Sequence, residues 1–191
     1  MLALTVESVI PMRKVEVVPY NPQWRDAFAR EKQQVWQALG DNVVAIHHIG
    51  STAIPGIYAK PIIDLLVEVK EIAKIDQYNL SMEALGYEAM GEFGIPGRRY
   101  FRKNNAAGVR THHVHAFEAG EPEVAKHLAF RDYTIAHWED AQQYSDLKRE
   151  LARKYPYDID SYMDGKHEFI QQMNAKAAEW RESQKIDWYT P

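Results

Sequence analysis

Cysteine is absent from the 191 residues of the chain. That one absence removes disulfides, thiolate zinc sites, iron–sulfur clusters and cysteine nucleophiles together, while leaving the compartment open, because many exported proteins also lack cysteine. No apolar run approaches the ~18 residues of a membrane span. The opening MLALTVESVIPMRK has no basic n-region, and Glu7 interrupts its apolar run, so it does not read as a signal peptide. An excess of positive charge is missing as well: 23 Lys and Arg against 27 Asp and Glu give a net −4, which supplies no global field for nucleic acid. Low-complexity tracts and internal repeats are lacking, and 12% aromatic residues argue against disorder. What remains is ordinary globular composition, 46% hydrophobic and 26% charged, in a chain long enough for one well-buried core. A soluble, cytoplasmic, single-domain protein is the expectation.

The pattern of apolar residues divides the chain in two. Val15 to Val18 reads as a short strand. Asn21 then caps a helix whose first position is Pro22, and Trp24, Phe28, Val35, Trp36 and Leu39 mark one face of it down to Gly40. Val43 to His48 is strand-like and runs into the turn Gly50-Ser51-Thr52-Ala53. Ile62 to Val69 alternates cleanly: Ile63, Leu65, Val67 and Val69 form an apolar face, with Ile62, Asp64, Leu66 and Glu68 on the other. A helix over Ile72 to Leu85 ends at Gly86, and strands at Arg99 to Lys103 and Thr111 to Phe117 flank a turn at Asn104 to Gly108. From Glu121 onward the period is helical. One run carries Ala125, Leu128, Ala129 and Tyr133, a second reaches Tyr155, and a third starts near Ser161, where Ser161 and Asp164 resemble a capping box. The fold class is α+β: a mixed sheet packed with helices over about 15–118, then a helical C-terminal third over about 121–183, together one domain over 1–191.

The chemistry concentrates between His48 and Asp64. Glycine lets a backbone approach a phosphate, Ser51 adds a hydroxyl, and an acid thirteen residues later sits on the returning strand. An ordinary turn followed by an ordinary strand accounts for the same residues. In Thr111 to Phe117, His113 and His115 share a strand face. If that strand neighbours Ile62 to Val69, both face the cleft that Asp64 faces, as metal ligands, general bases or phosphate donors; a hydrogen-bonded structural pair is the alternative. Two histidines with one or two carboxylates suit Zn²⁺, Mn²⁺ or Fe²⁺ better than Mg²⁺. Among the basic residues, Lys60 precedes the Asp64 strand. Arg99, Phe101 and Lys103 lie on one face of their strand and Arg98, Tyr100 and Arg102 on the other, so one set at most reaches the cleft. His127 and Arg131, one helical turn apart, can reach over the sheet. His47 and His48 point to opposite faces, so at most one looks toward the site. Trp138, Tyr144 and Trp180 read as core or interface.

The segments HIGSTAIPGIYAKPIIDLLVEV, THHVHAF, HLAFRDY and YSDLKRELA, in that order, resemble the GrpB family, a small branch of the nucleotidyltransferase superfamily with the DNA polymerase β-like fold. The resemblance runs from about Val15 to Trp180, and some members of that family are fused to dephospho-CoA kinase. It implies attack of a hydroxyl on the α-phosphate of a nucleoside triphosphate, with pyrophosphate leaving. Gly50 and Ser51 would hold the outer phosphates and Lys60 the developing charge, with Arg99 as a further phosphate contact. Asp64 would hold a divalent metal, Mg²⁺ or Mn²⁺ with Zn²⁺ as an alternative. Glu68 and His115 would complete the metal shell, and His113 or His115 would take the proton from the acceptor. The superfamily pattern asks for a second acid two residues after the first, where this chain has Leu66; Glu68 shares the face but lies ~6.6–6.8 Å further along the strand. Leu66 therefore keeps open a nucleotide-binding or regulatory module without two-metal chemistry, and a His/carboxylate phosphoester metallohydrolase built on the same cleft. The expected partners are a nucleotide and an acceptor that the sequence does not name. Nucleic acid is disfavoured by the acidic balance, although a groove lined by Lys60 and Arg98 to Lys103 would revive it.

Overall fold

A computed structural model describes residues 14–186, the side chains of 185 and 186 excepted. The signal-peptide reading of the opening residues falls mostly outside that range. The first helix, α1 (Gln23–Leu39), starts where the Asn21 side chain accepts a hydrogen bond from the Gln23 N–H at 3.0 Å, and it stops at Gly40, whose φ of 58° suits glycine. Trp24, Val35 and Leu39 are buried on the sheet, whereas Trp36, which the sequence placed on the same face, is 40% exposed. The chain continues through β1 (Val43–Ile49), a 3₁₀ turn over Ser51–Ala53 and β2 (Ile63–Val69). The stretch expected as one helix is a 3₁₀ segment, Ile72–Tyr78, followed by the short α2 (Asn79–Ala84). Then come β3 (Tyr87–Ala89), β4 (Arg99–Asn104) and β5 (Arg110–Glu118).

These strands form one mixed sheet in the order β1-β2-β5-β4-β3. Only β2 and β5 run parallel, and their crossover contains α2, β3 and β4. The alternation in β2 sorts the two layers. Ile63, Leu65, Val67 and Val69, all nearly inaccessible, pack with Val35 and Leu39 of α1 in the main core. Leu66 points the other way, into a smaller cluster with Ile49, Phe117 and Val124.

That second face is covered by the helical third: α3 (Pro122–Ala136), α4 (Trp138–Lys154), α5 (Ile159–Gly165) and α6 (His167–Ile186). The helix near Ser161 is capped differently from the sequence reading. Asp158 is its N-cap and accepts the Ser161 N–H at 3.0 Å, so Ser161 sits inside the first turn. Val15 to Val18 is no strand of the sheet. Val18 makes an isolated bridge to Ala59, while Val15 is buried with Leu151 and Tyr162 and its N–H donates to the Pro156 carbonyl. This segment ties the loop before β2 to the helices. None of the described helices is long and apolar enough to cross a membrane.

Candidate active site

The parallel pairing of β2 with β5 sets Asp64 opposite His113 and Leu66 opposite His115. All four side chains then point to the face under the C-terminal helices, because strand residues two apart share a face. The His113 Nδ1 lies 2.8 Å from Asp64 Oδ1, and the His115 Nε2 lies 3.9 Å from the same oxygen. One donor atom from each of Asp64, His113 and His115 falls within 4.8 Å of the others. Burial pushes the Asp64 carboxyl up, but the hydrogen bond from His113 and the nearby His115 outweigh it and hold the carboxyl well below its ordinary range.

The turn before β2 is fitted around this acid. Gly50 has φ 71° and ψ −175°, a backbone region open in practice only to glycine, and a Cβ there would stand 2.2 Å from Asp64 Oδ2. The turn is pinned from behind by Thr52, which donates to the Ile62 carbonyl at 3.0 Å and meets His48 Nε2 at 3.0 Å. His48 itself faces α1, with its ring stacked on Phe28 at 4.6 Å. Its position on that side excludes it from the site.

Asp64 and its histidines line a cleft of about 460 Å³ between the sheet and α3 to α5. Among the described residues, four cations, Lys60, Arg98, Lys148 and Lys166, border it, and Asp64 is the sole carboxylate that lines it. Lys148 is 2% exposed, with its ammonium 4.2 Å from the centre of the Tyr144 ring and without a hydrogen-bond partner among the described residues. Lys166, 6% exposed, stands 4.8 Å over the Tyr162 ring, and Lys60 stands 5.5 Å from the same ring. Burial, then repulsion from Lys166, pushes Lys148 well down; burial, then repulsion from Lys60, pushes Lys166 down to about 8. The Ser51 hydroxyl lies beside the Tyr144 phenol.

Gly50, Ser51, Lys60, Asp64, His113 and His115 thus meet in one cleft. Two residues expected there lie elsewhere. Glu68, beyond the buried Leu66, pairs with His47 Nε2 at 2.7 Å, because the antiparallel β1 brings His47 to the same face at that level. Arg99 points to the opposite face of β4 and holds Asp76 through two hydrogen bonds of 2.7 and 2.9 Å. Its neighbour Arg98 borders the cleft instead, 7% exposed, donating to the carbonyls of Glu92 and Phe93 and standing 3.5 Å from His115 Nδ1. Alternation leaves two faces open, and the face that meets the cleft carries Arg98 rather than the expected Arg99.

His127 and Arg131 do reach over the sheet. The His127 ring is 5.8 Å from that of His115, and Arg131 donates to the His48 carbonyl. Tyr144, read from the sequence as core or interface, is both buried and part of the cleft wall. Lys148 and Lys166 also line the cleft, although neither is among the site residues expected from the sequence. A signal for Lys148 was present: Ala141, Tyr144, Ser145, Lys148 and Leu151 form the buried stripe of α4 at helical spacing, and a lysine in such a stripe is unusual.

The donor set is one carboxylate and two imidazoles. Ligands to one ion each lie ~2.0–2.2 Å from it, so a 3.9 Å separation between Asp64 Oδ1 and His115 Nε2 suits a shared ion. The set matches Zn²⁺ or Mn²⁺ better than Mg²⁺, which prefers oxygen ligands throughout. Ligation through His115 Nε2 requires its other nitrogen to carry the proton, and hence the 3.5 Å contact with Arg98 to lengthen.

The family model described as GrpB protein matches residues 14–176. The UPF0157 protein YqkA of Bacillus subtilis is 46% identical over 180 residues, covering 94% of this chain, and the chain spans only 52% of that relative's length. The glutamate-rich protein GrpB of Alkalihalophilus pseudofirmus is 34% identical over 163 residues, covering 84% of this chain and 94% of that protein. A crystal structure of the conserved protein GrpB from Enterococcus faecalis aligns with a TM-score of 0.83 at 43% identity, over 87% of this chain and 99% of that one.

Proposed function

The chain belongs to the GrpB family, and from that premise we propose that it is a metal-dependent nucleotidyltransferase that moves a nucleotidyl group from a nucleoside triphosphate to a hydroxyl acceptor. The observation that carries this reading is the meeting of Asp64, His113 and His115 against the Gly50-Ser51 turn in a cleft bordered by cations. In the reaction the acceptor oxygen bonds to the α-phosphorus, the bond from that phosphorus to the β-bridging oxygen breaks, and pyrophosphate leaves. Asp64 and His115 would hold a divalent ion, Mn²⁺ or Zn²⁺ by the donor set, which would supply Lewis-acid stabilisation to the phosphoryl oxygens. His113, oriented through Nδ1 by Asp64, keeps Nε2 for the acceptor proton. The Ser51 hydroxyl and the Gly50 backbone position the outer phosphates, and Lys60 neutralises the charge that builds on the leaving pyrophosphate. Sheet and helical third work as one unit in this reading, in the cytoplasm, where nucleoside triphosphates are supplied.

A second reading has a specific observation behind it. Leu66, at the position where a second carboxylate would complete a two-metal site, is fully buried in an apolar cluster. A single-ion His/carboxylate centre that hydrolyses a phosphate ester uses the same residues with water as the acceptor.

Product analysis separates the two. Transfer releases pyrophosphate from a nucleoside triphosphate only when metal, a hydroxyl acceptor and Asp64 are present. Hydrolysis of a phosphate ester proceeds without acceptor. Nucleotide affinity with no turnover under any of these conditions defines a binding module. Under the transfer reading His113→Ala slows turnover by about 10²–10⁴-fold.

A further inference from the structure

Four buried side-chain polar atoms lack a hydrogen-bond partner among the described residues, and two of them, Lys148 Nζ and Tyr162 Oη, belong to residues that line the one cleft described above. A buried amine without a hydrogen-bond partner is costly, and native structures rarely retain one without a reason. Both groups are donors, so the missing partner is an acceptor. The surroundings give its charge. Lys166 and Lys60 flank the same Tyr162 ring at 4.8 and 5.5 Å. The one carboxylate on the cleft wall, Asp64, is already engaged by His113. In a chain of net charge −4, three lysines gathered at one side of a cleft form a local field of the opposite sign.

We propose that Lys60, Lys148 and Lys166, with the Tyr162 hydroxyl, form a polyphosphate pocket, so that the ligand of this cleft carries a chain of at least two phosphates. The inference rests on the reading of the cleft as a nucleotide site and adds which residues grip the phosphate tail. A single phosphate is too small a charge for three ammonium groups that repel one another; a di- or triphosphate offers several oxygens to spread among them. Burial and repulsion among the lysines lower the proton affinities of Lys148 and Lys166, and a bound anion offsets both by supplying a counter-charge and hydrogen bonds. Aromatic faces under all three ammonium groups hold them in place until then.

Calorimetric titration with sodium tripolyphosphate, pyrophosphate, orthophosphate and citrate, all in EDTA, tests this without any metal at Asp64. Tripolyphosphate is expected to bind at least about tenfold more tightly than orthophosphate or citrate, and Lys148→Met and Lys166→Met each to weaken it by about 10–100-fold. Asp64→Asn is expected to bind tripolyphosphate at least as tightly as the wild type. Lys148→Met removes a buried amine that lacks a hydrogen-bond partner, at nearly constant volume, so its melting temperature should equal or exceed that of the wild type, which excludes misfolding as the cause of lost binding. Tripolyphosphate binding no tighter than orthophosphate or citrate, or unchanged in both lysine variants, overturns the proposal. Lysine-dependent tripolyphosphate binding without pyrophosphate release from any nucleotide would sink the transferase reading alone. Pyrophosphate release that ignores both lysine substitutions would sink the pocket alone.

Discussion

A Cβ added to Gly50 would stand 2.2 Å from the Oδ2 of Asp64. The turn and the acid are therefore one device: the absence of a side chain at one position makes room for the carboxylate at the other. Gly50→Ala is expected to cost about 1–3 kcal/mol from the backbone alone, since φ 71° with ψ −175° is strained for any L-residue, and more from displacing the carboxylate. Chemical denaturation of Gly50→Ala, Asp64→Ala and the double variant checks this. The double variant should be less destabilised than the sum of the singles, because Asp64→Ala removes the carboxylate that the new Cβ would meet; simple additivity would refute the interlock.

His48 gives the fold a pH dependence with a defined sign. Burial pushes it down to about 4, with Asp64 opposing and Arg131 and Arg25 assisting. Between that value and the ~6.5 of an unfolded chain, only the unfolded form takes up the proton, so stability is full above about pH 6.5 and falls as the pH drops toward 4. His127, also pushed down to about 4 by burial, contributes in the same direction. Urea midpoints measured from pH 7.5 to 4 at constant ionic strength should fall across that window. His48→Phe should flatten part of the slope while losing the contact to Thr52. An unchanged slope would contradict the assignment.

Two adjacent arginines should respond differently to truncation. Arg98 is buried and holds the carbonyls of Glu92 and Phe93, so Arg98→Ala leaves acceptors unpaired and should cost about 1–3 kcal/mol. Arg99 pairs with the half-exposed Asp76, and Arg99→Ala should cost under about 1 kcal/mol, less still at high salt. Denaturant titrations of the two variants decide it; equal costs would mean that Arg98 is not the structural member of the pair.

The contrast between these arginines shows what the sequence could and could not convey. Alternation in β2 is explicit, and it separates Ile63, Leu65, Val67 and Val69 from Asp64 without any structure. Alternation in β4 divides Arg98 from Arg99 equally well but carries no sign telling which face meets the cleft; that depends on pairing with β5, a contact distant in sequence. The meeting of Asp64 with His113 needed the parallel register of β2 and β5 across a 49-residue separation, which local pattern allows but does not specify. Glu68 lies away from the cleft for a similar reason: β1 supplies His47 as its partner. Lys148 was legible as a charge inside an apolar helical stripe, whereas Lys166, at the C-terminal end of a seven-residue helix, had no periodic pattern to expose it.

The metal assignment separates Asp64 from Glu68. Mn²⁺ or Zn²⁺ at about 100 times its dissociation constant should stabilise the wild type by about 2.7 kcal/mol. Glu68→Gln should keep that gain, because its carboxylate is spent on His47, while His115→Ala should lose most of it. Thermal unfolding with and without each ion reads the difference; equal loss in Glu68→Gln would return that acid to the metal shell.

The central claim, a nucleotide held over a metal at Asp64, is tested most directly by melting the wild type and Asp64→Asn with ATP, GTP, CTP and UTP, each in Mn²⁺, Zn²⁺, Mg²⁺ or chelator. The predicted result is a stabilisation by at least one nucleotide that is larger with metal than in chelator and whose metal-dependent part disappears in Asp64→Asn. A nucleotide shift identical in chelator and in Asp64→Asn, or no shift with any nucleotide, would contradict it.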